Sequence, residues 1–268
     1  MKPTPSSRAA RDIPNMTALG SPTAPFRRNR KKPPEPLLVF GAHPDDIEFG
    51  CGGIVAREAS EGRSVHLVVC SRGEAGSNGS PAQRAAEAKT AAGLLGASLE
   101  FVKLDGDAQL ELRSAHALTL ARIIRRLRPA IVLAPSLEKN QHPDHWRLAQ
   151  LARDASRLAR YGGLAPLKKL PPHAIGQLFF YAITPNAEPA TVPPVLIDVS
   201  LPDVIARWTA AMEAHASQLK TRNYVELQLA RARVHGSRCG VAAAIALYPN
   251  DALVFDSLAT LSRGARRY

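Results

Sequence analysis

From Pro36 onward the chain alternates short apolar runs with segments of helical periodicity, and this alternation restricts the fold more than any other feature. Residues 37–41, 64–71, 99–104 and 130–134 are apolar runs of strand length. Helical segments at 47–61, 80–96 and 114–128 separate them, and another follows at 144–161. In the third helix Leu118, Ala121, Ile124 and Leu127 share one face, and Pro129 stops it. Ser80-Pro81 gives the second helix an N-cap and a first-turn proline; Gln83 is placed to close a capping box, and Gly96 to end the helix. Gly50, Gly52 and Gly53 predict close backbone approach at the start of the first helix. Further strands are expected at 178–183 and 195–199, and helices at 201–219 and 225–234. Strands separated in this way pair as right-handed βαβ units, so the expected class is α/β, with a mostly parallel sheet flanked by helices.

Ligands of such sheets bind beyond the carboxyl ends of the strands. His43-Pro44-Asp45-Asp46 follows the first apolar run, and His142-Pro143-Asp144-His145 follows the fourth. A catalytic zinc commonly takes three ligands from histidines and carboxylates and keeps one position for water. His43 and Asp46 leave the strand on one turn and can face one point. His142 and His145, at i and i+3 on a turn entering a helix, share a face. One of the two completes the set, and spacing leaves open which. Asp45 is the free carboxylate, able to take a proton from an attacking water. The remaining histidine can face the oxyanion or protonate the leaving group. Asp144 is placed to orient a histidine from behind. Either tetrapeptide alone reads as a turn with an aspartate cap; the pair, each behind a strand, points to a metal-dependent hydrolase. Two histidines and a carboxylate suit Zn2+ and also accept Fe2+. His66 and His116 read as structural, and His173 and His235 as exposed.

Composition narrows the alternatives. No apolar stretch has the ~20 residues of a transmembrane helix, and the N-terminus has no signal-peptide core. The three cysteines form no C-x-x-C pair, which argues against a disulfide framework and fits a reducing compartment; a cytoplasmic location is expected. Cys51 reads as a small buried residue rather than a ligand. The net charge of +12 raises nucleic acid as a partner, but half of it lies in residues 1–36, with eight Lys/Arg against Asp12 and Glu35. Residues 1–35 read as a disordered basic tail, and 36–268 as the catalytic domain. No specific nucleic acid is expected, and assembly into a homo-oligomer stays open.

At this point the sequence resembles the PIG-L/LmbE-like N-acetylglucosaminyl deacetylases. The residues that carry the resemblance are 41–53 (GAHPDDIEFGCGG), Ser71-Arg72-Gly73-Glu74-Ala75-Gly76, Gln141-His142-Pro143-Asp144-His145 and Ala214-His215-Ala216-Ser217-Gln218. The Ile-Glu-x-Gly continuation and the Asn-Gly loop are most similar to the branch that deacetylates the GlcNAc-malate precursor of bacillithiol. The resemblance implies a Rossmann-like fold and zinc-dependent hydrolysis of an N-acetyl sugar conjugate. It implies His43, Asp46 and His145 as metal ligands, Asp45 as general base and His142 as oxyanion stabiliser. It also implies that Arg72 and Glu74 contact substrate. Residues 242–247 are apolar where the branch has an aromatic and acidic segment, so an altered pocket wall is expected there. Two alternatives remain: a deacylase of another N-acyl sugar in polysaccharide or antibiotic biosynthesis, or a polyanion-binding protein with a vestigial metal site.

Overall fold

The computed structural model describes residues 34–258 apart from 140, 141 and 221, together with residue 264. The expectation for the basic tail lies outside these residues, save Pro34 and Glu35. In chain order the elements are β1 (Leu37–Gly41), α1 (Asp46–Ser60), β2 (Val65–Val69), α2 (Pro81–Leu95), β3 (Ser98–Phe101), α3 (Ser114–Leu127), β4 (Ile131–Pro135) and α4 (Pro143–Ala159). Then follow β5 (Gln177–Tyr181), β6 (Val195–Asp198), α5 (Pro202–Glu213), α6 (Tyr224–Cys239) and β7 (Ala244–Pro249).

The strands form one seven-stranded sheet in the order β3-β2-β1-β4-β5-β7-β6. The pairs from β3 to β5 are all parallel, whereas β7 runs antiparallel to both β5 and β6. The chain winds outward from β1 to β3, then crosses to the other side of β1 to lay down β4. The β1–β4 boundary is therefore the topological switch point, where α/β sheets open a crevice for ligands.

Both faces of the sheet are covered, which is why its strands are continuous apolar runs rather than alternating ones. Leu37, Val39, Leu67 and Val69 point into a core that includes Ala91 and Leu95 of α2 and Trp208 and Met212 of α5. Leu38, Phe40 and Val68 point the other way, against Leu120 and Ile124 of α3 and Leu148 and Ala152 of α4.

The glycines of α1 allow close approach, as expected. A Cβ on Gly50 would lie 2.3 Å from Cδ2 of Tyr181, a buried ring whose hydroxyl donates to the Phe40 carbonyl at 2.8 Å. The helix leaves helical geometry at the next residue, Cys51, with φ −148°. Gly50→Ala should therefore lower stability by about 1–3 kcal/mol through overpacking, despite the gain of up to ~1 kcal/mol in helix propensity. A denaturation midpoint equal to or above that of the parent protein would contradict this.

Three expectations need correction. Residues 242–247 do not line the cavity at the His/Asp cluster: 244–249 form β7, with Ile245 and Leu247 in one core and Ala246 and Tyr248 in the other. Ser80 does cap α2 through the Gln83 amide, but the Gln83 side chain turns forward to Glu87 Oε1 (3.1 Å), so no capping box forms. His235 is buried, held against Glu188 Oε1 at 3.1 Å.

Candidate active site

The turn after β1 and the start of α4 meet at the switch point. Asp45 caps α1 with φ 106°, a left-handed conformation unfavourable for any residue but glycine and tolerated best by Asn and Asp. This twist carries the next residue, Asp46, inward. Asp46 Oδ2 accepts from the backbone amides of Ala42 and His43, both at 2.9 Å, while Oδ1 faces His145 Nε2 at 3.1 Å. Burial opposes the charge on Asp46, yet the imidazoles of His145 and His43 outweigh it and hold the carboxyl well below its usual range.

His43 lies between two groups of carboxylates. Its Nδ1 is 3.5 Å from Asp46 Oδ2, and its Nε2 is 3.3 Å from Asp144 Oδ2 and 3.1 Å from Asp107 Oδ1. Burial alone would lower the His43 pKa; Asp46, Asp107 and Asp144 raise it well above the usual value. Asp144 is fixed in turn by the Ala108 amide at 2.8 Å. His142 Nδ1 accepts the Asp144 amide as the N-cap of α4, and its Nε2 lies 3.6 Å from Asp107 Oδ1.

Two donor sets capable of holding a metal result: His43, Asp46 and His145, and on the other edge of His43 a set of Asp107, His142 and Asp144. The first fits a catalytic metal. It has three donors of the right type, and a His43 that donates Nε2–H to Asp144 and Asp107 keeps its Nδ1 lone pair on the Asp46 side.

Asp45 stands beside this set, its carboxylate 3.4 Å from Arg84 Nη2. Burial and the neighbouring Asp46 push its carboxyl up to about 7. Arg84 of α2 is buried and also donates to the carbonyls of Pro44 (3.0 Å) and Gly73 (3.2 Å). Gly73, at φ +72°, could carry no side chain here, because a Cβ would lie 2.0 Å from the guanidinium. Sequence reasoning missed Arg84 and Asp107. Each is a single charged residue without a motif, and only the fold brings it to Asp45 or His43.

His43, Asp45, Asp46, His142 and His145 all line one cavity of about 460 Å3, whereas Asp144 lies behind it. Phe49 and Tyr224, with ring centroids 5.5 Å apart, and Ile183 line it as well. Arg72 and Glu74 are not brought to this cavity. The Arg72 guanidinium lies over the Phe101 ring, and Glu74 Oε2 accepts from the amides of Arg72 (3.1 Å) and Asp107 (3.3 Å), bracing the loop. His215 is fully buried, 3.4 Å from Glu48 Oε2, and does not line the cavity. Gln218, three residues on, does line it and ties the loop to this region through the Asn78 carbonyl at 2.8 Å.

A recessed His/Asp donor set with a carboxylate beside it, at the switch point of an α/β sheet, is the arrangement a metal-dependent hydrolase needs. Residues 38–156 match the model of the PIG-L family, described as GlcNAc-PI de-N-acetylase. Over 183 residues the chain is 31% identical to a 4-oxalmesaconate hydratase of Pseudomonas putida, covering 64% of this chain and 69% of that protein. It is 27% identical over 195 residues to a diacetylchitobiose deacetylase of Thermococcus kodakarensis, covering 68% and 69%. The crystal structure of a conserved protein from Thermus thermophilus superposes with TM-score 0.73 at 35% identity, over 82% of this chain and 96% of that one. The chain belongs to the PIG-L family. Among the described residues no helix is long and apolar enough to cross a membrane.

Proposed function

We propose that the protein is a zinc-dependent deacetylase that removes the acetyl group from a small molecule containing N-acetylglucosamine. The observation that supports this most directly is the closure of His43, Asp46 and His145 on one point beside a carboxylate, Asp45, that faces the cavity. In this reading His43, Asp46 and His145 hold the metal. Bound there, zinc supplies Lewis acidity, polarising the amide carbonyl and making water a better nucleophile at neutral pH.

The chain's own groups do the rest. Asp45 takes the proton of the attacking water. Asp46 lies next to it, and its charge keeps the Asp45 carboxylate basic. Arg84 fixes the carboxylate's orientation through Nη2. His142 Nε2 faces the oxyanion and passes a proton to the departing amine. Asp144 and Asp107 hold the His43 ring in one orientation. The cavity wall of Phe49, Ile183 and Tyr224 suits the apolar face of a sugar ring and its acetyl methyl.

The hydratase relative raises a second chemistry, addition of water to an unsaturated carboxylate. That chemistry calls for cationic side chains on the carboxylate, and the only Lys or Arg lining the cavity among the described residues is Arg84, already engaged. The deciding experiment is acetate release from a panel of N-acetylglucosamine conjugates by zinc-loaded protein, with metal content measured in parallel. Acetate production that stops on chelation and returns with zinc supports the proposal. Restoration by Fe2+ alone would reassign the metal, and the absence of acetate from every conjugate would overturn the deacetylase reading.

A further inference from the structure

We infer that the opposite end of the sheet carries a second binding site, a recess that takes the phosphoryl group of a phosphate ion or a phosphate monoester. A cavity of about 230 Å3 lies there, lined by Arg153, Arg157 and Arg160 at the end of α4, by residues 174–178 leading into β5, and by Asn250 and Asp251 just after β7. It shares no lining residue with the cavity at His43. His145 stands in the first turn of α4 and Arg157 in the last, ~18 Å apart along the helix axis.

Residues 153, 157 and 160 fall at i, i+4 and i+7, so the three guanidiniums share one face of the helix. Satisfying the carbonyls of a helix C-terminus is an ordinary task for such cations, but here that task is already taken. The Arg157 carbonyl accepts the Arg160 amide at 3.3 Å, and the Leu158 carbonyl accepts the Tyr161 amide at 3.2 Å. The Ala159 carbonyl accepts the His173 amide at 3.0 Å and Nε of the buried Arg125 at 2.8 Å. The outer arginines therefore keep free donors. Arg153 donates to Gln150 Oε1, and Arg160 lies 5.7 Å from the centre of the Tyr161 ring, a contact that uses none of its N–H groups. The Arg157 guanidinium has no partner among the described residues, and none of the three forms an ion pair there.

The charge of the recess defines its ligand. Asp251 is the one carboxylate of the lining, and it already accepts from Asn250 Nδ2 at 2.7 Å, so three guanidiniums against one carboxylate leave two positive charges. A phosphate monoester carries about −1.5 to −2 at neutral pH, with three acceptor oxygens that guanidinium forks grip in pairs. The Gly176 and Gln177 amides both donate to the Ala130 carbonyl, at 2.7 and 3.1 Å, so the grip comes from the arginines. The volume is below the ~300 Å3 at which pockets for whole small molecules begin, so the phosphoryl group enters and any remainder of the ligand stays outside. The cations converge on one recess rather than track a groove, which favours a single phosphoryl group over a nucleic-acid backbone.

The test is calorimetry on the full-length protein at fixed ionic strength, with inorganic phosphate and glycerol 3-phosphate as probes. One phosphate is expected to bind per chain. Arg153→Gln/Arg157→Gln should weaken it at least tenfold, and Asp251→Asn, which removes the opposing charge, should tighten it several-fold. Glycerol 3-phosphate binding as tightly as phosphate identifies the phosphoryl group of a larger molecule as the ligand, and binding of phosphate alone identifies the free ion; either result supports the site. Absence of binding by both probes overturns it. So does binding that the double variant leaves unchanged, which places the anion elsewhere, as at the metal donors. Binding of a short single-stranded RNA that the double variant abolishes, with neither probe bound, overturns it in favour of a nucleic-acid surface.

Discussion

Asp45→Asn should reduce kcat by about 10²- to 10⁴-fold, the range a positioned general base contributes, while the protein stays folded and keeps its metal. The choice of asparagine matters. Residue 45 sits at φ 106°, where alanine would add backbone strain, whereas asparagine tolerates the left-handed region. The amide keeps the size of the carboxylate, carries no charge and cannot take a proton. Stability should not fall, since the substitution removes a half-buried carboxyl whose ionisation desolvation and Asp46 both oppose. Arg84 keeps its two carbonyl acceptors when the charge on residue 45 disappears. Metal content, a melting curve and steady-state rates on one preparation check all three parts. Full activity in metal-loaded Asp45→Asn protein would remove Asp45 from the role of base.

His145→Ala should lose metal and activity together. The side chain is the partner of Asp46 Oδ1 at 3.1 Å and stands in the first turn of α4, where alanine is well tolerated. Removing an outer partner of a metal ligand typically weakens binding about 10- to 100-fold, so loss of a ligand itself should exceed ~100-fold. His142→Ala is the control. His142 uses Nδ1 to cap the helix and is not among the donors of the first set, so this variant should retain metal while losing rate. Metal analysis after dialysis against a weak chelator separates the two. If His142→Ala loses the metal and His145→Ala keeps it, the two roles are exchanged.

Much of this architecture was legible in the sequence because each piece is local. β1 to β4 are contiguous apolar runs, and their helices carry their own start and stop signals, as with Ser80-Pro81 and Gly96 around α2. The histidines and aspartates that meet at the cavity could be read because they crowd into two short turns behind strands. What escaped was set by tertiary placement. β7 is an alanine-rich run with a helix-like composition, and only its position between two strands makes it extended. Asp107 and Arg84 are lone charges whose partners lie 64 and 39 residues away, at His43 and Asp45. The roles suggested for Arg72 and Glu74 followed from their motif, but the motif could not show the loop's own contacts, in which Arg72 lies over Phe101 and Glu74 braces the loop amides.

The position of β7 also sets an order of assembly. β6 precedes it in the chain, yet β6 joins the sheet only through β7. As the chain leaves the ribosome, β5 presents an open edge and β6 waits without a partner until residues 244–249 emerge. Completion of the sheet therefore waits until every other strand has been made, and until then β5 is an unpaired edge open to other chains.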